Sequence, residues 1–384
     1  MLARRARPQE VPTRNASTLR SCGWPPSRWL FNLRLLAAPL LIGALFISCG
    51  GSASNESGRP GSEVDAPTEP AASPAPGFAP LTGKIISNED RAALEARRPL
   101  AVMIDNIVTA TPQAGLDQAD IVFEALVEGG ITRYLAIFHS QEPEVIGPVR
   151  SARTPFLQWA AEYDALYVHV GSAETDGPAD AGQQIRDWHI NDVDLGAEAF
   201  RHNFVRDSNR PAPHNVFINS AELRARASEL GLEGAPMFAI WPYSGAEGLT
   251  PGTPAPGFTV SFGPMSPNFS VHWGWDVETL RYERSQFGEP QFDAVGGNRV
   301  GFTNVIVQYA DARVVDSSGH VLLDNIGEGR TQVFRDGQVI EGTWRKADLR
   351  SHTEFFGLDG NPLSLMTGTT WVEVVPPNGG TVFD

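Results

Sequence analysis

A chain of 384 residues with 41% hydrophobic content is long enough for two folded domains and apolar enough to bury their cores. Its formal charge is −15, and because residues 1–48 hold seven arginines and one acid, the remainder carries 23 basic against 44 acidic groups. So acidic a body argues against general nucleic-acid binding, which needs clustered positive charge to release counterions.

The two cysteines, Cys22 and Cys49, both precede the expected globular part, so the body has neither a disulfide staple nor a cysteine nucleophile. Scattered arginines lead into Leu35-Leu36-Ala37-Ala38-Pro39-Leu40-Leu41-Ile42-Gly43-Ala44-Leu45-Phe46-Ile47-Ser48. This is a positive n-region followed by an apolar run of signal-peptide length, too short for a membrane span of ~20 residues. Phe46-Ile47-Ser48-Cys49 resembles a bacterial lipoprotein signal, which implies cleavage before Cys49 and attachment of lipid, palmitate included, to that residue. The expectation is a signal peptide over 1–48 and a body anchored at the extracytoplasmic face of the cell membrane through lipidated Cys49. Residues 49–80 hold almost no large apolar side chain and cannot offset the entropy of ordering, so they read as a disordered tether. A flexible segment of that length has an r.m.s. span of roughly 30 Å.

Residues 88–96 suggest a short lead-in helix with Asn88 as its N-cap, stopped by Arg97-Arg98-Pro99. Leu100-Ala101-Val102-Met103-Ile104-Asp105 is a continuous apolar run closed by a carboxylate and Asn106, the pattern of a strand buried on both faces. Polar residues just beyond such strands reach into clefts. Pro112-Gln113-Ala114-Gly115-Leu116 is turn chemistry, and residues 119–127 and 131–139 supply further strands. Thr154-Pro155 fits the N-cap and first position of a helix running to about Tyr163. A strand over 165–170 opens into Gly171-Ser172, and helices over 178–188 and 220–230, the latter closed by Gly231, flank a strand candidate at 214–218. Strands alternating with helices favour an α/β layer architecture.

From about Ala235 the texture changes to proline, glycine, tryptophan and short alternating strands near 258–262, 270–275, 279–284 and 304–309. Asp336-Gly337 inside residues 333–340 is a tight-hairpin signal, and 371–375 is a late strand. The expected fold class is therefore α+β: an α/β N-terminal domain over 81–234 carrying a ligand cleft, then a β-rich C-terminal domain over 235–384. Trp273, Trp275, Trp344 and Trp371 fit core or hairpin packing better than a carbohydrate groove.

Several strings resemble the YerB-like bacterial lipoproteins, whose domain, in N-terminal and C-terminal regions, has no assigned function. They are Met103-Ile104-Asp105-Asn106, Pro112-Gln113-Ala114-Gly115-Leu116, Glu128-Gly129-Gly130-Ile131-Thr132-Arg133 and Gly147-Pro148-Val149-Arg150-Ser151-Ala152-Arg153, supported by Pro213-His214-Asn215 and Thr343-Trp344-Arg345-Lys346. The chain departs from the pattern after His169, where Val170-Gly171-Ser172 stands in place of a glycine pair. The resemblance implies a cell-envelope lipoprotein and two regions, and it supplies no reaction.

Arg150 and Arg153 flank Ser151 directly ahead of Thr154-Pro155, beside the free N–H groups of a helix start, and Arg133 is a third arm. Helix dipole, amide donors and guanidinium forks all favour an anion. The expected ligand-binding set is Arg133, Arg150, Ser151, Arg153, Asn106 and His214. The competing reading pairs these arginines with Asp105, Glu128, Asp120 or Asp164 as a structural network. Asp105 and His169 are the candidate catalytic bases. No metal-ligand spacing, nucleophile elbow, P-loop or dinucleotide fingerprint is present, so no metal or cofactor is expected.

The leading functional expectation is a membrane-tethered protein that binds an anionic envelope ligand or wall polymer. An enzyme acting on a phosphorylated or polyprenyl-linked glycopolymer intermediate is the alternative, by architectural likeness to the LytR-CpsA-Psr enzymes. A non-catalytic scaffold for envelope proteins is the third reading, and oligomeric state is left open.

Overall fold

The computed structural model describes residues 77–197 and 204–384, which belong to one compact unit. The expected signal peptide, Cys49 and most of the tether lie outside the described residues. Helix α1 (Asn88–Glu95) is capped by Ser87, not by Asn88. Ser87 has the extended backbone a cap requires, and its hydroxyl accepts from the Asp90 N–H at 3.0 Å.

Strands β1 (Leu100–Asn106), β2 (Ile121–Leu126) and β3 (Thr132–Phe138) are buried along their whole length, as their continuous apolar runs require. Helix α2 (Thr154–Glu162) leads to β4 (Leu166–His169), which returns parallel to β1. Helix α3 (Ala181–Asp187), β5 (Asp192–Asp194) and α4 (Ser220–Glu229) complete this half. The N-cap of α2 is Arg153, one residue earlier than expected, and Thr154 and Pro155 are already helical. Thr154 does not cap because its hydroxyl donates to Gln184 Oε1 at 2.6 Å, fastening α2 to α3.

The longer strands of the second half are β6 (Gly257–Ser261), β7 (Val271–Asp276), β8 (Arg281–Gln286), β9 (Asn304–Tyr309), β10 (Gly327–Arg335), β11 (Gln338–Lys346), β12 (Glu354–Gly357), β13 (Thr370–Val375) and β14 (Gly380–Phe383). The β10–β11 hairpin turns on Asp336 and Gly337, both at positive φ (51° and 66°), the pair of left-handed residues that a type I′ turn demands.

An 11-stranded sheet runs in the order Thr253–Pro254, β11, β10, β9, β13, β2, β3, β1, β4, β5, with β12 pairing on β11. Strand β13 lies parallel to both β9 and β2, so the segments on either side of residue 235 supply neighbouring strands of one sheet. A six-stranded sheet holds β8, β7, β6 and β14 in order, with Glu289–Pro290 and Gly301–Phe302 both on β8. The architecture is α+β, with the α-helices of the described residues in the first half and a β-rich second half.

The sheets meet through aromatic rings. Trp371 packs edge-on against Tyr134 (5.0 Å), Phe302 (5.2 Å) and Trp273 (5.5 Å), and Trp273, Trp344 and Trp371 are all fully buried. Trp273 and Trp371 are core, and Trp344 is buried while bordering a cavity of the β-rich half; Trp275, half-buried, packs on Tyr282 at 4.9 Å.

A polar network crosses the same interface. Arg284 on β8 is fully buried and donates to Glu124 Oε2 at 2.5 Å, to Gln286 Oε1 at 3.0 Å and to Gln291 Oε1. Its guanidinium lies over the Trp371 ring at 4.7 Å. Glu124 and Glu373 are direct neighbours across the parallel β2–β13 pair. Burial, and then the Glu124 charge, push the Glu373 carboxyl well above the ordinary range.

Another carboxyl pair joins the turn at 115–118 to the loop at 293–298. Asn298 donates to Asp117 Oδ2 at 2.8 Å, while one buried oxygen of Asp117 and one of Asp293 have no hydrogen-bond donor. Burial, and then the Asp117 charge, push Asp293 up to about 6. A carboxyl with a raised folded pKa contributes stability that is full below its unfolded value near 3.8 and is lost as pH rises through about 6. Asp293→Asn supplies a permanent N–H donor to Asp117. It is expected to melt a few degrees above the parent at pH 8 and to flatten the pH dependence of the melting temperature between about 4 and 6, read by calorimetry.

Candidate functional site

Strands β1 and β4 pair only as far as Val102 and Val168, and beyond that point residues 147–152 are wedged between their carboxyl ends. On one side Asp105 N–H donates to the Pro148 carbonyl (2.9 Å) and Arg150 N–H to that of Met103 (3.0 Å). On the other, Val170 N–H donates to the Arg150 carbonyl (3.1 Å) and Ala152 N–H to that of Gly171 (2.9 Å). Splayed carboxyl ends of parallel strands are where open sheets place their ligands, and here the splay is filled by the arginine-bearing segment.

The turn at Glu128–Gly130 brings the counter-charge. Gly129 (φ 72°) and Gly130 (φ 69°) are both left-handed, and a Cβ on Gly130 would lie 2.2 Å from the Met265 carbonyl oxygen. The turn presents Glu128 to Arg133 Nη2 at 3.0 Å, to Arg153 Nε at 2.7 Å and to Arg153 Nη2. Burial works against the Glu128 charge, but the Arg153 hydrogen bond and the charges of Arg133 and Arg153 outweigh it and hold the carboxyl at about 2. Arg133 is brought down to about 10 by burial and then by the positive charge of Arg153.

One further terminal nitrogen of each arginine is also used inside the protein, while Arg133 Nε is buried with no hydrogen-bond partner among the described residues. Arg133 Nη1 donates to the Ser151 carbonyl at 3.2 Å and Arg153 Nη1 to the Ala152 carbonyl at 2.7 Å. Arg150 differs. Its Nε sits 3.1 Å from Asp105 Oδ2, its side chain is 19% exposed, and neither terminal nitrogen has a partner among the described residues. The expected three-armed cradle is thus two guanidiniums spent on Glu128 and one open fork.

Asp105 is buried, and the same Oδ2 receives His214 Nδ1 at 2.5 Å. The loop carrying His214 is clamped by Arg210, which donates to the Ala110 and Pro112 carbonyls, each at 2.7 Å. The Nε2 of His214 has no partner among the described residues, and the side chain is 18% exposed. Asp105, Arg150 and His214 therefore share one corner.

Three other residues singled out in the sequence sit differently. Asn106 is buried and donates to Thr132 Oγ1 (2.7 Å) and Glu124 Oε1 (3.1 Å), in the network beneath the site. Ser151 is half-buried and contributes its carbonyl to Arg133. His169 is buried, with Nδ1 2.8 Å from the Gly171 carbonyl oxygen and Nε2 3.2 Å from Asp192 Oδ2, so both ring nitrogens are engaged. The expected site already held both His214 and Asp105, and the structure brings them together across 109 residues of chain.

Two cavities of about 330 and 640 Å³ lie in the β-rich half, away from this corner. The first is bordered by Tyr309, Asp324 and Trp344, the second by Lys346, Ser351 and His352.

Residues 81–233 match the family described as "Protein of unknown function (DUF3048) N-terminal domain", and residues 259–372 match its C-terminal domain. The chain is 32% identical over 308 residues to YerB of Bacillus subtilis (strain 168), named as a candidate lipoprotein, covering 78% of this chain and 86% of that one. The crystal structure of YerB from Bacillus subtilis superposes with a TM-score of 0.68 at 29% identity, over 79% of this chain and 99% of the other. Among the described residues no helix is long and apolar enough to cross a membrane. The chain belongs to the DUF3048 family, whose candidate-lipoprotein relative YerB shares its sequence and its fold.

Proposed function

We propose that the protein is a lipoprotein anchored through Cys49 at the extracytoplasmic face of the cell membrane, and that its body binds the anionic group of an envelope ligand at Arg150. The observation that carries this reading is the guanidinium of Arg150, whose Nε lies 3.1 Å from Asp105 Oδ2 in an ion pair while neither terminal nitrogen has a partner among the described residues. A planar fork with two unengaged donors suits a carboxylate or phosphate. The surroundings favour an added negative charge, because three guanidiniums face only two carboxylates, Glu128 and Asp105. Arg133 and Arg153 act as the frame that holds the segment, and Arg150 makes the contact.

The test is a thermal-shift screen of the full chain in detergent micelles against inorganic phosphate, pyrophosphate, acetate and N-acetylmuramic acid. A ligand at about 100 times its Kd adds about 2.7 kcal/mol, which raises the melting temperature by several degrees. The expected result is such a shift for at least one anion, abolished in Arg150→Gln. An equal shift in that variant places binding elsewhere, and no shift with any anion favours the scaffold reading.

A further inference from the structure

We infer that the ligand at this corner carries a hydroxyl beside its anionic group, and that His214 Nε2 receives it, so the site selects hydroxylated phosphates or carboxylates over their bare alkyl counterparts. The inference rests on the anion reading of Arg150 given above and adds the ligand class.

Asp105 Oδ2 lies 2.5 Å from His214 Nδ1, and a ring nitrogen that close to a carboxylate oxygen has to carry the proton. In the neutral ring the other nitrogen is then a bare acceptor. That nitrogen, Nε2, has no donor among the described residues.

The ring is not free to swing away. Arg210 ties its loop to residues 110 and 112, His214 N–H donates to the Pro211 carbonyl at 2.9 Å, and Asp207 N–H donates to the Asn215 carbonyl at 2.9 Å. Arg150 Nε lies 3.1 Å from the same Oδ2, so one buried carboxylate oxygen faces both groups. The corner thus offers a cationic fork with only donors and, beside it, a fixed ring whose Nε2 is an acceptor in the neutral form. A bare phosphate or carboxylate satisfies the fork and leaves Nε2 with water. A ligand with an O–H near its anionic group satisfies both.

Matched pairs of ligands test this on the unmodified protein. Titration calorimetry of the full chain in detergent micelles at pH 8 compares sn-glycerol 3-phosphate with n-propyl phosphate, and glycerate with propionate. In at least one pair the hydroxylated member is expected to bind about tenfold tighter, the worth of one well-made hydrogen bond. His214→Asn keeps an N–H for Asp105 but ends short of Nε2. It is expected to retain affinity for the alkyl ligand and to reduce the preference to less than about twofold. Equal binding within both pairs overturns the hydroxyl inference while leaving the anion site standing. An unchanged preference in His214→Asn assigns the hydroxyl contact to another group and also overturns it. Failure of all four ligands to bind removes the Arg150 reading and this inference together.

Discussion

Replacing Arg284 with methionine is expected to cost about 3–5 kcal/mol, read as a fall in the urea midpoint at pH 7. The size follows from what is left behind. Glu124 stays fully buried with its counter-charge gone, and Gln286 and Gln291 lose their donor. A domain stable by 5–15 kcal/mol loses a large part of its margin. Glu373→Gln is the control. If Glu373 is neutral, its O–H is already a donor to Glu124, and an amide of similar shape preserves both that bond and the Trp273 contact at 3.0 Å. The cost should then be under about 1 kcal/mol. An equally large loss in both variants would show that Glu373 is charged in the folded protein.

The effect should also reach the candidate site. Gln291 accepts from Arg284 and donates to Gln113 Oε1 at 3.0 Å, and Gln113 donates to the Asp105 carbonyl at 3.0 Å. The buried arginine between the sheets thereby supports the strand end that holds Arg150 and His214.

Lys346→Met is the second change with a large expected effect, again about 3–5 kcal/mol at pH 7. Lys346 at the end of β11 is buried and donates to Glu162 Oε2 at 2.6 Å, at the end of α2, so the pair ties the two halves together. Glu162 also accepts from Thr353 N–H (2.8 Å) and Thr353 Oγ1 (2.9 Å). Burial opposes its charge, yet Lys346 and then His352 outweigh burial and bring the carboxyl to about 2. A depressed carboxyl pKa contributes stability that is present above the unfolded value near 4.5 and is lost as pH falls from there through about 2. Without Lys346 burial prevails, and Glu162 becomes easier to protonate. The gap between parent and variant in urea melts should therefore narrow between pH 4.5 and 2. Lys346→Met combined with Glu162→Gln should recover much of the loss, because the cost lies in the stranded charge. A gap that is constant with pH would mean lost packing alone.

Much of the scaffold was legible because buried strands announce themselves. Residues 304–309 form a strand with the expected ends, and Asp336-Gly337 makes the expected turn. The caps of α1 and α2 were each placed one residue late, because Ser87 and Arg153 hold the required extended backbone and Thr154 spends its hydroxyl on Gln184. Strand continuity between the halves was not legible, since β13 lies beside β2 although about 250 residues separate them along the chain.

The polar pairings divide in the same way. Glu124 and Glu373, each inside an apolar run, show that a buried carboxyl needs a partner, but Arg284 lies 160 residues from Glu124 in an alternating strand of ordinary appearance. Clustering of Arg133, Arg150 and Arg153 was legible, whereas their division of labour was not. It depends on the left-handed Gly129-Gly130 turn, which carries Glu128 back onto two of them.

The central claim is that Arg150, and not Arg133 or Arg153, offers the open fork. Nitrogen-15 NMR of the arginine side chains, recorded while the full chain in detergent micelles is titrated with inorganic phosphate, tests it directly. The account predicts a saturable shift of the Arg150 guanidinium resonances, with those of Arg133 and Arg153 unmoved because Glu128 keeps them. Equal shifts of all three would mean that the ligand displaces Glu128, and shifts of Arg133 and Arg153 without Arg150 would contradict the account.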